Sequence, residues 1–268
     1  MRRAGFRRPP LLDVAGDSGS GPVIVMIHGV ASSSVTWQNV VPLLESTHRL
    51  IRIDLLGFGA SPAPPDAEYT IAEHVASVAR TIRSLRLREP FVLMGHSMGG
   101  LIAPRYAAGS GRGRVRRLVL VSPPVYLDPN ELAKPFDRGV QGFYLRAYRY
   151  IREHQNFTLR NAAVVQGMLP IKKAMDITAE TWTPFVKSLE HSIESQTTIS
   201  DLASVKVPVD VVMGDFDEFS SPGAMRIVER LRDVTVHRVT GSDHLIEPRL
   251  ARAVAAVVMN GEPASVSR

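Results

Sequence analysis

The chain has no cysteine among its 268 residues. That excludes a disulfide framework, a thiolate metal site and a cysteine nucleophile. It also lacks any apolar run near the roughly 20 residues that span a bilayer, so stable membrane insertion is not expected. The start of the chain is basic, yet Leu11-Leu12 is soon followed by Asp13 and Asp17. An apolar signal-peptide segment is therefore missing, and Arg2-Arg3 gains no twin-arginine reading without it. Nothing repeats at the 20–50 residue period of solenoids and propellers.

Charge is also less abundant than the net figure implies. The formal charge is +6, and Arg2, Arg3, Arg7 and Arg8 supply four of the six, leaving +2 elsewhere. A second knot, Arg112, Arg114, Arg116 and Arg117, precedes an apolar run. Neither cluster interleaves with the aromatics of a single-strand binder, so solvated segments are expected and a nucleic-acid partner is not.

What is present is a soluble-protein composition, 44% hydrophobic and 22% charged, enough to bury a sizeable core. Short apolar runs alternate with amphipathic stretches. Strands are predicted at 23–28, 50–54, 91–94, 117–121, 209–213 and 234–239, with helices at 34–44, 70–85, after Ser97, at 222–231 and at 249–258. Ile71, Val75, Val78, Ile82 and Leu85 share one helical face. Strand and helix in turn predict an α/β fold, a mostly parallel, doubly wound sheet covered on both faces. Residues 123–200 break the rhythm. They carry no evident strand and many large side chains, among them Tyr144, Tyr148, Met168, Met175 and Trp182. A helical insertion is predicted there, some of whose side chains line a pocket. Asn156-Phe157-Thr158 is a glycosylation sequon that matters only in a secreted protein.

Gly95-His96-Ser97-Met98-Gly99 lies between an apolar run and a small-residue helix start. It reads as a sharp strand-to-helix turn that pushes a serine hydroxyl outward on strained backbone. Glycines two before and two after allow strand and helix to approach closely. A serine hydroxyl needs a base, and the base a carboxylate. In open α/β sheets the chemistry gathers at the carboxyl ends of strands. His244 stands just after the last predicted strand. His28 ends another, but its Gly29 neighbour points to shaping a loop; His96 adjoins the serine and must point elsewhere. Asp215, Asp217 and Glu218 follow the strand at 209–213 and are the candidate acids.

Four motifs in order resemble the α/β-hydrolase fold family, serine-nucleophile esterase-like branch, over nearly the whole chain. They are His28-Gly29-Val30, the loop from Asp54 through Gly57 and Gly59 to Ser61, the elbow at Ser97, and Gly214-Asp215-Phe216-Asp217. The resemblance implies a nucleophile Ser97, an acid Asp217 with Asp215 second, and a base His244. It implies an oxyanion hole from the backbone N–H groups of Val30 and Met98. It divides the chain into a core domain, residues 1–122 and 201–268, and a cap, residues 123–200. One departure stands out: His244-Leu245-Ile246-Glu247-Pro248 is shorter than the family's usual stretch, so a tighter histidine loop is expected.

Serine at the elbow argues against the dehalogenase and epoxide-hydrolase branches, which carry aspartate there. The expected reaction is hydrolysis of a carboxylic ester, or a related acyl bond, of a small and largely apolar substrate. The alternatives are a lactonase, a C–C bond hydrolase of ring-cleavage products, and a triad-bearing ligand receptor or scaffold. Arg146, Arg149 and Arg152 would suit a carboxylate substrate, but their spacing favours a solvated helix face. No cofactor or metal is expected. The location is read as cytoplasmic, and the oligomeric state is open, with a homodimer as the assembly to test.

Overall fold

The computed structural model describes residues 8–127, 134–168 and 177–261. The basic residues Arg2, Arg3 and Arg7 lie outside the described residues, as does Met175; so do the side chains of Tyr144 and Met168.

The described residues form one seven-stranded sheet. Its strands are β1 (Val14–Ser18), β2 (Val23–Ile27), β3 (Arg49–Ile53), β4 (Phe91–His96), β5 (Val115–Val121), β6 (Val209–Gly214) and β7 (Val234–Val239), in the order β1-β3-β2-β4-β5-β6-β7. Every pairing is parallel except β1 with β3. β1 is absent from the pattern read above, for a physical reason. Its sequence Val-Ala-Gly-Asp-Ser pairs on one side only and is half exposed, so it carries no apolar run. The central strands are different. β4 is buried along its whole length, and such strands must be apolar on both faces.

Helix α2 (Ile71–Ser84) covers one face of the sheet together with α3 (Gly99–Ala108). The spacing that predicted α2 is the one it buries: Ile71, Val78 and Ile82 are in the core, with Val75 and Leu85 at its margin. Thr70 caps it by accepting from the Glu73 N–H at 3.2 Å, and the Glu73 carboxylate accepts from the Thr70 N–H at 3.1 Å. Such a cap is worth about 1 kcal/mol. The other face packs against α1 (Val41–Leu44) and α9 (Pro248–Asn260). The stretch expected as one helix at 34–44 is instead a 3₁₀ turn, Ser34–Trp37, followed by α1. Ser33 caps the first, and Pro42 restarts the chain as a helix.

Residues 134–168 and 177–204 rise over the carboxyl edge of the sheet as α4 (Pro135–Glu153), α5 (Gln155–Met168), α6 (Trp182–Ser188), a π turn at Leu189–Ile193 and α7 (Thr198–Ser204). No strand occurs among the described residues of 123–200. α7 runs across residue 200 and packs on α3 of the sheet layer. α8 (Pro222–Val228) lies between β6 and β7.

Candidate active site

The chain leaves β2 for β3 on one side and returns to β4 on the other. The strand order therefore switches direction between β2 and β4, and ligands bind at such points. Gly29 follows β2 and Ser97 follows β4, so both loops open at this crevice.

Ser97 has φ of 51°, the left-handed conformation that a side-chain-bearing residue rarely takes. The close approach around it requires glycine. A Cβ on Gly95 would stand 2.3 Å from the Gly99 carbonyl oxygen, and one on Gly99 would stand 2.5 Å from that of Ile27. The Ser97 N–H donates to the Val121 carbonyl at 2.9 Å, which ties the turn to β5. Gly29 is shaped by the same neighbour, since its Cβ would meet the Ser97 Cβ at 2.7 Å.

The structure brings Ser97, His244 and Asp217 together from three loops. His244 Nε2 lies 3.0 Å from Ser97 Oγ, and His244 Nδ1 lies 2.9 Å from Asp217 Oδ1. All three are buried. Asp217 Oδ1 also accepts the Phe219 N–H at 3.1 Å. Burial would push the His244 imidazole down, but the Asp217 carboxylate outweighs it and raises the group above 6.5. Burial likewise opposes the charge on Asp217, and the charge and hydrogen bond of His244 leave that carboxyl below its ordinary value. A hydroxyl, an imidazole and a carboxylate in this chain can pass a proton from oxygen to nitrogen.

The other two candidate acids do different things. Asp215 is exposed and accepts the Gly241 N–H at 2.8 Å, closing a turn. Glu218 is exposed at the rim of the cavity. The acid loop and the histidine loop press on each other: a Gly214 Cβ would stand 2.1 Å from the Ser242 carbonyl oxygen. The short stretch after His244 is tight, as its length implied. Glu247 N–H donates to Leu245 O at 2.8 Å, Ile246 is buried, and Pro248 opens α9 at once.

The remaining histidines near the crevice hold backbone. His28 donates from Nδ1 to the Gly29 carbonyl at 2.7 Å, and its Nε2 accepts the Leu55 N–H at 2.8 Å. It thereby fixes the loop after β2 to the loop after β3. Asp54 stiffens the latter by accepting from Ser34 N–H at 2.8 Å and Ala60 N–H at 3.0 Å. His96 donates from Nε2 to the main-chain carbonyl of His244 at 3.0 Å. That link was not foreseen, because residues 148 apart in sequence leave no local signal. The N–H groups of Val30 and Met98 are absent from the turn and loop hydrogen bonds of the described residues, and Val30 lines the cavity.

Above Ser97 lies a cavity of about 470 Å³. Its floor is Ser97, His244, His96 and the loop 29–32; its roof is Tyr148 and Ile151 of α4, Phe157 of α5, Phe185 of α6 and the π turn. Tyr148 therefore lines the pocket, whereas Trp182 is not part of the lining and packs on Phe185 with ring centroids 5.9 Å apart. Among the described residues the charged side chains in the lining are both acidic, Glu218 and Asp243. Arg146 and Arg149 are exposed outside it, and Arg152 is held by Glu190 at 2.8 Å and Glu194 at 3.1 Å. Arg117, expected in a solvated turn, is instead half-buried and paired with Asp210 at 2.6 Å. Among the described residues no group of His, Asp and Glu has the arrangement of a metal site, and no helix is long and apolar enough to cross a membrane.

Residues 22–246 match a family model described as alpha/beta hydrolase fold. Over 116 residues the chain is 40% identical to a probable lysophospholipase, BODYGUARD 3 of Arabidopsis thaliana, covering 42% of this chain and 23% of that protein. Over 128 residues it is 33% identical to a pimeloyl-[acyl-carrier protein] methyl ester esterase of Aeromonas hydrophila, covering 47% of each. The chain thus spans less than half the length of either relative. Among solved structures, a thermophilic esterase from Thermogutta terrifontis superposes with a TM-score of 0.72 over 93% of this chain and 92% of that one, at 21% identity, a likeness of fold.

Proposed function

Because the chain belongs to the α/β-hydrolase fold family, we propose that it hydrolyses carboxylic esters of small, largely apolar compounds through an acyl-enzyme on Ser97. The observation that carries this reading is the 3.0 Å approach of His244 Nε2 to Ser97 Oγ, with Asp217 behind the imidazole at 2.9 Å. Ser97 Oγ attacks the acyl carbon as His244 takes its proton, and Asp217 steadies the imidazolium. The N–H groups of Val30 and Met98 receive the oxyanion; one such donor is worth about 3–4 kcal/mol. His244 then protonates the leaving alcohol, and a water repeats the steps to release the acid. In this reading residues 123–200 act as the cap that selects the substrate, and the acting residues need no metal or organic cofactor.

The mostly apolar lining supports an uncharged substrate. The absence of a cation from that lining, among the described residues, argues against the carboxylate of a ring-cleavage product and so against C–C hydrolysis. The names of the relatives, a methyl ester esterase and a probable lysophospholipase, agree with ester chemistry. The test is turnover of a p-nitrophenyl ester series beside lactones and ring-cleavage products, with labelling by a serine-directed phosphonate. Ester turnover that vanishes in Ser97→Ala, with label on Ser97 alone, is the expected result. A folded protein that binds esters, turns none over and takes no label is a receptor or scaffold.

A further inference from the structure

The outer face of α4 is unusual for a surface helix. Phe136, Phe143 and Tyr150 repeat every seven residues, which keeps them on one side. They are 73%, 62% and 48% exposed. Phe157, at the start of α5 and 55% exposed, extends the row, its ring edge-on to Tyr150 with centroids 5.8 Å apart. These are four of the eight large exposed apolar side chains among the described residues. Arg146, three residues after Phe143 and four before Tyr150, stands beside the row, and the cations Arg138 and Arg149 are exposed farther round the same helix. The acids of this helix balance them only in part: Asp137 is buried against Arg226, and Glu153, one turn after Arg149, is the one exposed acid among its described residues.

We propose that this face docks on an anionic phospholipid surface. Aromatic side chains beside arginines on one amphipathic helix match the two layers of such a surface, apolar chains beneath and negative headgroups above. A neutral apolar partner would leave the arginines without counter-charge, and a nucleic acid would leave the aromatic row against phosphate and sugar. The row also reaches the cavity. Phe157 belongs both to the exposed row and to the lining above Ser97, so a protein seated this way turns the mouth of its pocket toward the lipid. The proposal goes beyond ester hydrolysis, because docking needs no turnover.

Co-sedimentation of the full chain with vesicles tests it. Vesicles of phosphatidylcholine mixed with phosphatidylglycerol should carry the protein down at low salt and release it at high salt; phosphatidylcholine alone should not. Arg146→Glu with Arg149→Glu should lower the bound fraction on the mixed vesicles by about tenfold or more, since each cation near an anionic surface contributes about 1 kcal/mol. Phe136→Ser with Phe143→Ser should weaken binding at every salt concentration. Both variants should keep their far-UV spectrum and their turnover of a soluble ester, because none of these four residues lines the cavity. Equal sedimentation with neutral vesicles, no sedimentation, or undiminished binding of the Arg variant would overturn the proposal. So would a solution dimer that the Phe variant splits, which would assign the face to a second copy of the chain.

Discussion

The imidazole of His96 donates from Nε2 to the main-chain carbonyl of His244 at 3.0 Å, so the residue before Ser97 holds the backbone of the residue facing Ser97. Burial, and then the nearby His244, push His96 down to about 3, which keeps it neutral at working pH. The turn at the end of β4 and the loop after β7 are joined there without adding a charge.

Removing that donor leaves a buried carbonyl unpaired, at a cost of about 1–3 kcal/mol. His96→Phe should lower the urea midpoint accordingly and reduce kcat, because the imidazole of His244 is less well aimed. His96→Gln, which keeps a donor, should recover most of both. Equal stability of the Phe variant and wild type would show that the link holds nothing.

Asp217 and Asp215 stand two residues apart but do different jobs. Asp217 faces His244, and Asp215 closes a turn with Gly241. Asp217→Asn should lower kcat of ester hydrolysis by the order of 10⁴-fold, as loss of a triad carboxylate does elsewhere. Asp215→Asn should change it by less than about tenfold, the equivalent of one modest hydrogen bond. A steady-state comparison of the two variants decides the role, and a larger loss at Asp215 would reassign it.

Tyr148 lines the cavity and shares a 3.1 Å hydroxyl contact with Tyr126, while Trp182 packs behind Phe185. Tyr148→Ala should therefore shift the preferred acyl chain length upward. Trp182→Ala should chiefly cost stability, by less than the ~3–5 kcal/mol of a fully buried tryptophan, because Trp182 is half-buried. Relative kcat/KM over an ester chain-length series, with thermal melts, reads both. A chain-length profile unchanged in Tyr148→Ala would remove the helical segment from substrate choice.

How much of this was legible in the sequence follows from where each signal resides. The alternating strands and the elbow could be read because buried parallel strands must be apolar and close-approaching backbone must be glycine. His244 and Asp217 could be placed because strand ends converge at one edge. β1 could not, since an edge strand with one partner has no need of an apolar run. The split of residues 34–44 was hidden because both pieces share one apolar spacing, and only Pro42 marks the join. Contacts across long sequence separations, such as Arg117 with Asp210 or His96 with His244, leave no pattern in a single sequence.

The charge on His244 makes the final prediction. In the proposed mechanism hydrolysis needs its imidazole neutral, and the Asp217 carboxylate raises the group above its ordinary 6.5 despite burial. The acid limb of kcat/KM should therefore have its midpoint above 6.5, with activity rising as pH climbs through it. The same shift has a consequence for stability. A group raised in the folded state favours folding when protonated, so its contribution is full below 6.5 and is lost as pH rises through the folded value. Asp217, lowered by His244, contributes in the opposite sense: its share is present above the ordinary 3.8 and is lost as pH falls through its folded value. The pair therefore stabilises the fold most between those limits, in mildly acidic solution, where hydrolysis is weakest. Asp217→Asn should move the residual acid limb downward, because burial then acts on the imidazole without the carboxylate. It should also flatten the pH dependence of the urea midpoint across both limits. An acid limb that stays in place in Asp217→Asn would mean that the ionisation belongs to some group other than His244.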